Sequence, residues 1–239
     1  MRNLEKIKEN INVKLFPIYK AVSWDLLFYY AILFLFLTQT KGIAAADVLL
    51  AEAIYPIFKF LFLMPLTMLI EKIGKRKSLI FANLVNAFSV LIFMLSSNLI
   101  HLIIAQFFSA IAFVIKGVAE TNILYDSLPK DDKRASKFSS IDGKGGAWYF
   151  YLDAITSAIA GFLYVVNPYI PLILCLITCI ISAYLSYKFV ELEPISKNKI
   201  STRKYIKELQ YSFRHMLQSD RLKYLLIFGA IFSGFLTAI

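Results

Sequence analysis

Two cysteines and two histidines in 239 residues leave little for metal chemistry. Cys175 and Cys179 lie four apart in one apolar run, and neither His101 nor His215 is near them in sequence, so no soft-ligand set forms and no metal is expected. The thiols read as packing or lipid-facing groups. No Ser-His-Asp set or His-Glu-x-x-His segment is present, which argues against an enzyme. The glycine cluster in Asp142-Gly143-Lys144-Gly145-Gly146 lacks the Gly-Lys-Ser/Thr ending of a phosphate-cradling loop and reads as a flexible helix start. No cofactor is implied. Residues 1–12 are polar, and the apolar run after them is long and followed by others, so no cleavable signal is seen.

What the chain does have is apolar length. It is 59% hydrophobic with 21 Phe and 14 Tyr, and its mean hydropathy is +0.64. A soluble domain of that composition would expose a sticky surface. The net charge of +10 could point to nucleic acid. That reading fails because the charges fall between apolar runs and form no amphipathic stripe.

The segment Glu71-Lys72-Ile73-Gly74-Lys75-Arg76-Lys77 organises the rest. It separates apolar runs over 48–70 and 78–96, each long enough to cross about 30 Å of hydrocarbon at about 1.5 Å per residue. So short a connector must turn back on one side of a membrane, and Gly74 offers a left-handed backbone at little cost. The same logic places spans at 16–37, 48–70, 78–96, 99–124, 147–166 and 169–190, with an inner loop over 125–144. A seventh run begins near residue 222. All Lys and Arg except Lys41, Lys59 and Lys116 fall in the amino-terminal lead, on alternate connectors or, as Lys20 and Lys188 do, at the span ends next to them. Basic connectors stay in the cytoplasm, so the amino terminus is expected inside a cell (inner) membrane. The predicted fold is an all-α, six-helix transmembrane bundle with a partial seventh helix. Its parts are a lead (1–15), the bundle (16–190), a basic linker (191–221) with a surface helix over 205–218, and the start of the seventh helix (222–239).

Six charges lie inside the predicted spans: Asp25, Glu52, Lys59, Lys116, Glu120 and Asp153. Such charges are costly unless they face a cavity or a partner. Glu52 is near an outer end and can reach water. Lys59 is deep, with Tyr55 four residues before it on the same face. Asp25, Lys116, Glu120 and Asp153 fall at a common depth on three helices, and Lys116 and Glu120 share a face. The plainer reading is structural pairing, with Lys116 neutralising one acid. The sharper reading is a substrate and proton path in which Asp25 or Asp153 loads and releases a proton. Trp24, Tyr29, Tyr30 and Tyr151 offer an aromatic lining for an organic cation; packing is the alternative.

The charged connector is similar to the signature between the second and third helices of the major facilitator superfamily, Gly-x-x-x-Asp-Arg-x-Gly-Arg-Arg/Lys. Glu71 stands for the acid, Lys72 for the first base, Gly74 for the glycine, and Lys75 and Arg76 for the basic pair; Thr67 replaces the leading glycine. Gly117-Val118-Ala119-Glu120 through Leu124-Tyr125-Asp126-Ser127-Leu128 resembles a bacterial branch. Phe113 stands where the family's fourth-helix arginine is usual, and the Gly-Pro-rich antiporter run of the fifth helix is absent. The resemblance implies one of two six-helix halves that rock about a central site. It makes the connector, with Asp126 as a local partner, a conformational latch; a purely topological role is the alternative. It implies protons, a small organic solute, a lipid bilayer and a missing carboxy-terminal half-bundle as partners. The chain is therefore expected to be a truncated half of a secondary transporter. A non-transporting half-bundle that assembles with another chain is the competing expectation.

Overall fold

The computed structural model describes residues 2–192, and beyond them Gln218, Tyr224 and Phe228 as helical positions; for residues 2–10 it describes the backbone alone. The rest of the linker, the surface helix expected over 205–218 and the seventh span lie outside the described residues.

Among the described residues the structure is α-helical without strands. The helices are α1 (Arg2–Ser23), α2 (Tyr30–Leu35), α3 (Ala45–Ile73), α4 (Lys75–Leu95), α5 (Leu99–Asp126), α6 (Arg134–Val166) and α7 (Ile170–Lys188); a π-helical turn, Phe36–Thr40, extends α2. Helices α3 to α7 are each long and apolar enough to cross a membrane. Residues 16–37, expected as one continuous span, are not one helix. The chain leaves helical geometry after Ser23 and resumes it at Tyr30. Phe28, at φ +63°, is the only non-glycine residue with positive φ among those described, an outlier for so bulky a side chain. Asp25 sits in the break and accepts from the Leu26 amide at 2.8 Å. A short carboxylate that bonds nearby backbone competes with the helix ladder. Pro17, inside α1, does not interrupt it.

Gly74 is at φ +100° and caps the end of α3 and the start of α4 at once. Only a residue without Cβ takes that conformation readily. Asn98 caps α5, its side chain accepting from the His101 amide at 3.0 Å. Helix α6 starts thirteen residues before the span expected at 147, and it runs straight through the glycine cluster. That cluster is a packing surface. A Cβ on Gly145 would lie 2.9 Å from Lys20 Cβ, and one on Gly146 only 2.2 Å from Trp24 Cζ3. The glycines let α1 and α6 approach.

The other contacts also use small residues. Ala82 and Ser89 on α4 and Ala105, Ala112 and Ala119 on α5 are buried, at seven-residue spacing. That spacing keeps one stripe on one side of each helix, and small side chains let helices associate closely in lipid, where no hydrophobic drive separates helix from solvent. The Ser89 hydroxyl donates to the Ala105 carbonyl at 3.0 Å across the seam. On α7 the same role falls to Cys175, Cys179, Ser182 and Ser186, all buried, so the thiols are packing groups. One apolar cluster gathers Phe16, Tyr19, Ile70, Leu79, Leu124 and Phe189; a second gathers Tyr29, Phe36, Val90, Phe93, Leu102 and Cys175. Helix α3 is hardly buried, and Ile57, Phe60, Leu61 and Leu63 point outward. In a bilayer acyl chains cover such a face.

The two ends of the bundle differ. The basic end holds the α3–α4 and α5–α6 connectors and the segment after α7; Asn12 ties the last two, its amide donating to Ser127 Oγ at 2.9 Å and to the Val190 carbonyl at 2.8 Å. At the other end Lys41 lies over the rings of Phe36 and Tyr169, and Thr40 bonds Tyr164 at 3.0 Å.

The glycine seam makes a paired prediction. Gly145→Ala should destabilise the bundle by about 1–3 kcal/mol, because the added methyl overpacks against Lys20. Gly143→Ala, which meets nothing within 4 Å, should be neutral or stabilising by up to about 1 kcal/mol through helix propensity. Thermal unfolding in detergent, followed by circular dichroism, checks both.

Candidate functional site: a charged layer at a helix break and a clasp at the basic end

Ending α1 at Ser23 leaves carbonyls that no later helical amide can reach. In hydrocarbon each such group needs an internal partner. Lys116, on α5 and 3% exposed, supplies one: its ammonium donates to the Ser23 carbonyl. The same ammonium lies 4.1 Å from the centroid of the Phe113 ring. The negative end of the α1 dipole favours a cation there. Asp25 and Lys116 thus line one small cleft at the break, together with Ser23, Asn86, Thr178 and Ser182.

The other residues expected in this layer are dispersed around it. Glu120 is one turn along α5 from Lys116 and buried, and its Oε2 has no hydrogen-bond partner. Its charged neighbours are Lys116, Lys20 and Asp142. Asp153 is half-buried on α6, one turn beyond Tyr149, whose phenol has both Asp25 and Asp153 as charged neighbours. Lys59 is exposed on α3, its ammonium 5.2 Å from the Tyr55 ring centroid. Tyr29 is not in the cleft; it is buried edge-on between Tyr30 and Phe93. Tyr151 is 74% exposed. The face of Trp24 is already taken by Lys20, 4.4 Å from the ring centroid. The four aromatic residues do not form a shared cage. Glu52 is tied rather than wet, accepting from Gln106 Nε2 at 2.8 Å.

At the basic end the ion pair Lys75–Asp126 joins α4 to α5. Glu191, just past α7, accepts from the backbone amides of Lys75 and Arg76 at 2.6 and 3.0 Å. A carboxylate on the first amides of a helix is favoured by both the unpaired donors and the dipole. Arg76 also stacks on Tyr187, 4.6 Å from its centroid. Glu71 and Lys72 make no hydrogen bond or ion pair among the described residues, so the carboxylate that closes this clasp is Glu191. Lys20 pairs with Asp142 between α1 and α6, and Arg134 donates to the Tyr125 carbonyl at 2.6 and 3.1 Å, closing the end of α5. In the exposed α5–α6 connector the hydrogen bond from Lys137 to Asp131, at 2.7 Å, holds the Asp131 carboxyl below the ordinary carboxylate range.

Sequence reasoning missed the helix break, Asn12, Asn83, Asn86, Glu191 and the Lys20–Asp142 pair. A signal existed for two of them. Asn83 and Asn86 are amides inside an apolar run and need partners there. Asn83 finds Tyr19 at 3.2 Å, the Leu79 carbonyl at 3.0 Å and Ser186 at 3.0 Å.

The family model described as Major Facilitator Superfamily matches residues 17–239. No curated protein matches the chain.

The clasp separates two acids by experiment. Glu191→Ala should lower the melting midpoint by several degrees, since hydrogen bonds to a charged group contribute about 1.5–3 kcal/mol. Glu71→Gln should cost less than about 0.5 kcal/mol. Equal losses for both would return the latch to Glu71.

Proposed function

The chain belongs to the major facilitator superfamily, and on that premise, which makes it a multi-pass membrane transporter, we propose that it is a proton-coupled secondary transporter of small organic solutes. The observation that carries this reading is that Asp25 and Lys116 line one cleft at the break in the first crossing. An ionisable residue inside a membrane helix bundle is by default a candidate for an ion or substrate path. Broken helices near the midplane are also where transporters bind substrate and coupling ion.

In this reading Asp25 is the acid that loads and releases the proton, and Asp153 is a second carboxylate along the same path. Protonation of Asp25 removes its attraction for Lys116 and loosens the layer; deprotonation restores it. Glu120 supplies a further buried carboxylate, and Lys59 a charge on the open face of α3. The clasp of Lys75, Arg76, Asp126 and Glu191 would hold the basic end closed in one state, with Gly74 as the turn and half-buried Glu71 and exposed Lys72 as its flank. Distribution of basic residues supports placing that end, and the amino terminus, in the cytoplasm.

A second reading is a non-transporting half-bundle that assembles with a partner chain. The exposed Lys59 on α3 favours it, because a lone ammonium deep in a span calls for a polar neighbour.

The test is solute flux in proteoliposomes under an imposed proton gradient, with candidate solutes chosen by growth on a panel of toxic compounds. The wild-type chain should move solute, alone or with the partner half. Asp25→Asn should abolish gradient-driven flux while the protein melts as before. Undiminished coupling in Asp25→Asn would overturn the assignment.

A further inference from the structure

The cleft at the helix break holds a carboxylate and buried oxygens that no hydrogen bond among the described residues satisfies. It is lined by the Asp25 carboxylate, Asn86, Ser23, Thr178 and Ser182. Asn86 Oδ1 and Ser23 Oγ are buried without any hydrogen-bond partner, in residues 2% and 3% exposed. The hydroxyls of Thr178 and Ser182 spend their protons on the carbonyls of Cys175 and Thr178, at 2.8 and 2.9 Å, which leaves oxygen lone pairs free. The Asn83 amide donates elsewhere, to Tyr19, Leu79 and Ser186. The one positive group in the cleft is Lys116, held on the Ser23 carbonyl.

Orphaned buried oxygens cost about 1–3 kcal/mol each, and two of them beside the Asp25 carboxylate favour a positive occupant. The free space is that of about one water molecule, too small for an organic ammonium. Hard oxygen ligands of the carbonyl, amide, hydroxyl and carboxylate kind suit a small hard cation. Unwound backbone at the end of a half-helix is where such ions bind in membrane bundles.

We propose that the break between α1 and α2 is a binding site for a sodium-sized monovalent cation, contributed by Ser23, Asp25, Asn86, Thr178 and Ser182, and that the Lys116 ammonium is its tethered competitor. With Lys116 on the Ser23 carbonyl, the ion is kept out. When Lys116 swings away, the ion takes the carbonyl and the orphaned oxygens. The apparent affinity is then reduced by the fraction of time Lys116 occupies the site. The inference uses the same layer as the transport reading but requires only binding. A chain that binds the ion and moves no solute keeps this inference and sinks that reading; flux without an ion response does the reverse.

Trp24, next to Asp25, is the reporter, and Trp148→Phe leaves it the sole tryptophan. In nanodiscs, NaCl replaces choline chloride at constant ionic strength while Trp24 fluorescence is read. The expected result is a saturable response to Na⁺, with a half-point about tenfold lower in Lys116→Met. Asn86→Ala, which keeps Lys116, should lose the wild-type response, and this arm stands even if Lys116→Met does not fold. Identical traces for Na⁺ and choline in both the parent and Lys116→Met would overturn the proposal. So would a response that survives in Asn86→Ala.

Discussion

A peptide carbonyl in hydrocarbon has no water to turn to, and this bundle is arranged around that constraint at one place. The first crossing stops being helical at Ser23 and restarts at Tyr30. Every group that the ladder releases there must be met by another part of the molecule. Lys116 meets the Ser23 carbonyl from α5, and the Asp25 carboxylate meets the Leu26 amide. A buried lysine and a half-buried aspartate are thus the local solution to a broken helix. The same two groups give the bundle a charged centre. Structural satisfaction and chemical readiness come from one set of contacts.

The ends are held by a different device. At the basic end, Asn12, Lys75, Asp126 and Glu191 connect α1, α4, α5 and the segment after α7 by hydrogen bonds and an ion pair. These contacts are short and polar, and some are partly exposed, so each is individually modest. Between the ends, α4 and α5 meet along Ala82, Ser89, Ala105, Ala112 and Ala119, and α1 meets α6 along Gly145 and Gly146. Small residues give a wide, stiff seam.

What the sequence revealed depended on contrast. The connector around Gly74 stands out because charge interrupts long apolar runs, and a turn there is dictated by span length. The break at 24–29 carries less contrast: Asp25 is its one charge, Trp24, Leu26, Leu27, Phe28 and Tyr29 are apolar or aromatic, and neither glycine nor proline marks the site. The start of α6 was hidden for the opposite reason. Residues 134–146 are polar and contain three glycines, so hydropathy sees only the portion that sits in lipid, while the helix continues beyond it. In the charged layer, the depths of Asp25 and Lys116 were legible from residue counting. Which way Tyr29 and Lys59 face was not, because it depends on the rotation of each helix, and α3 has apolar residues all round. Glu191 was invisible because its partners are backbone amides, which every residue has.

The account rests on Lys116 closing the break, and hydrogen–deuterium exchange of the chain in nanodiscs tests that most directly. With Lys116→Met, peptides covering residues 20–30 should exchange about tenfold faster or more, as the loss of a charge-assisted hydrogen bond of about 1.5–3 kcal/mol requires, while α7 keeps its protection. Unchanged protection across 20–30 would contradict it.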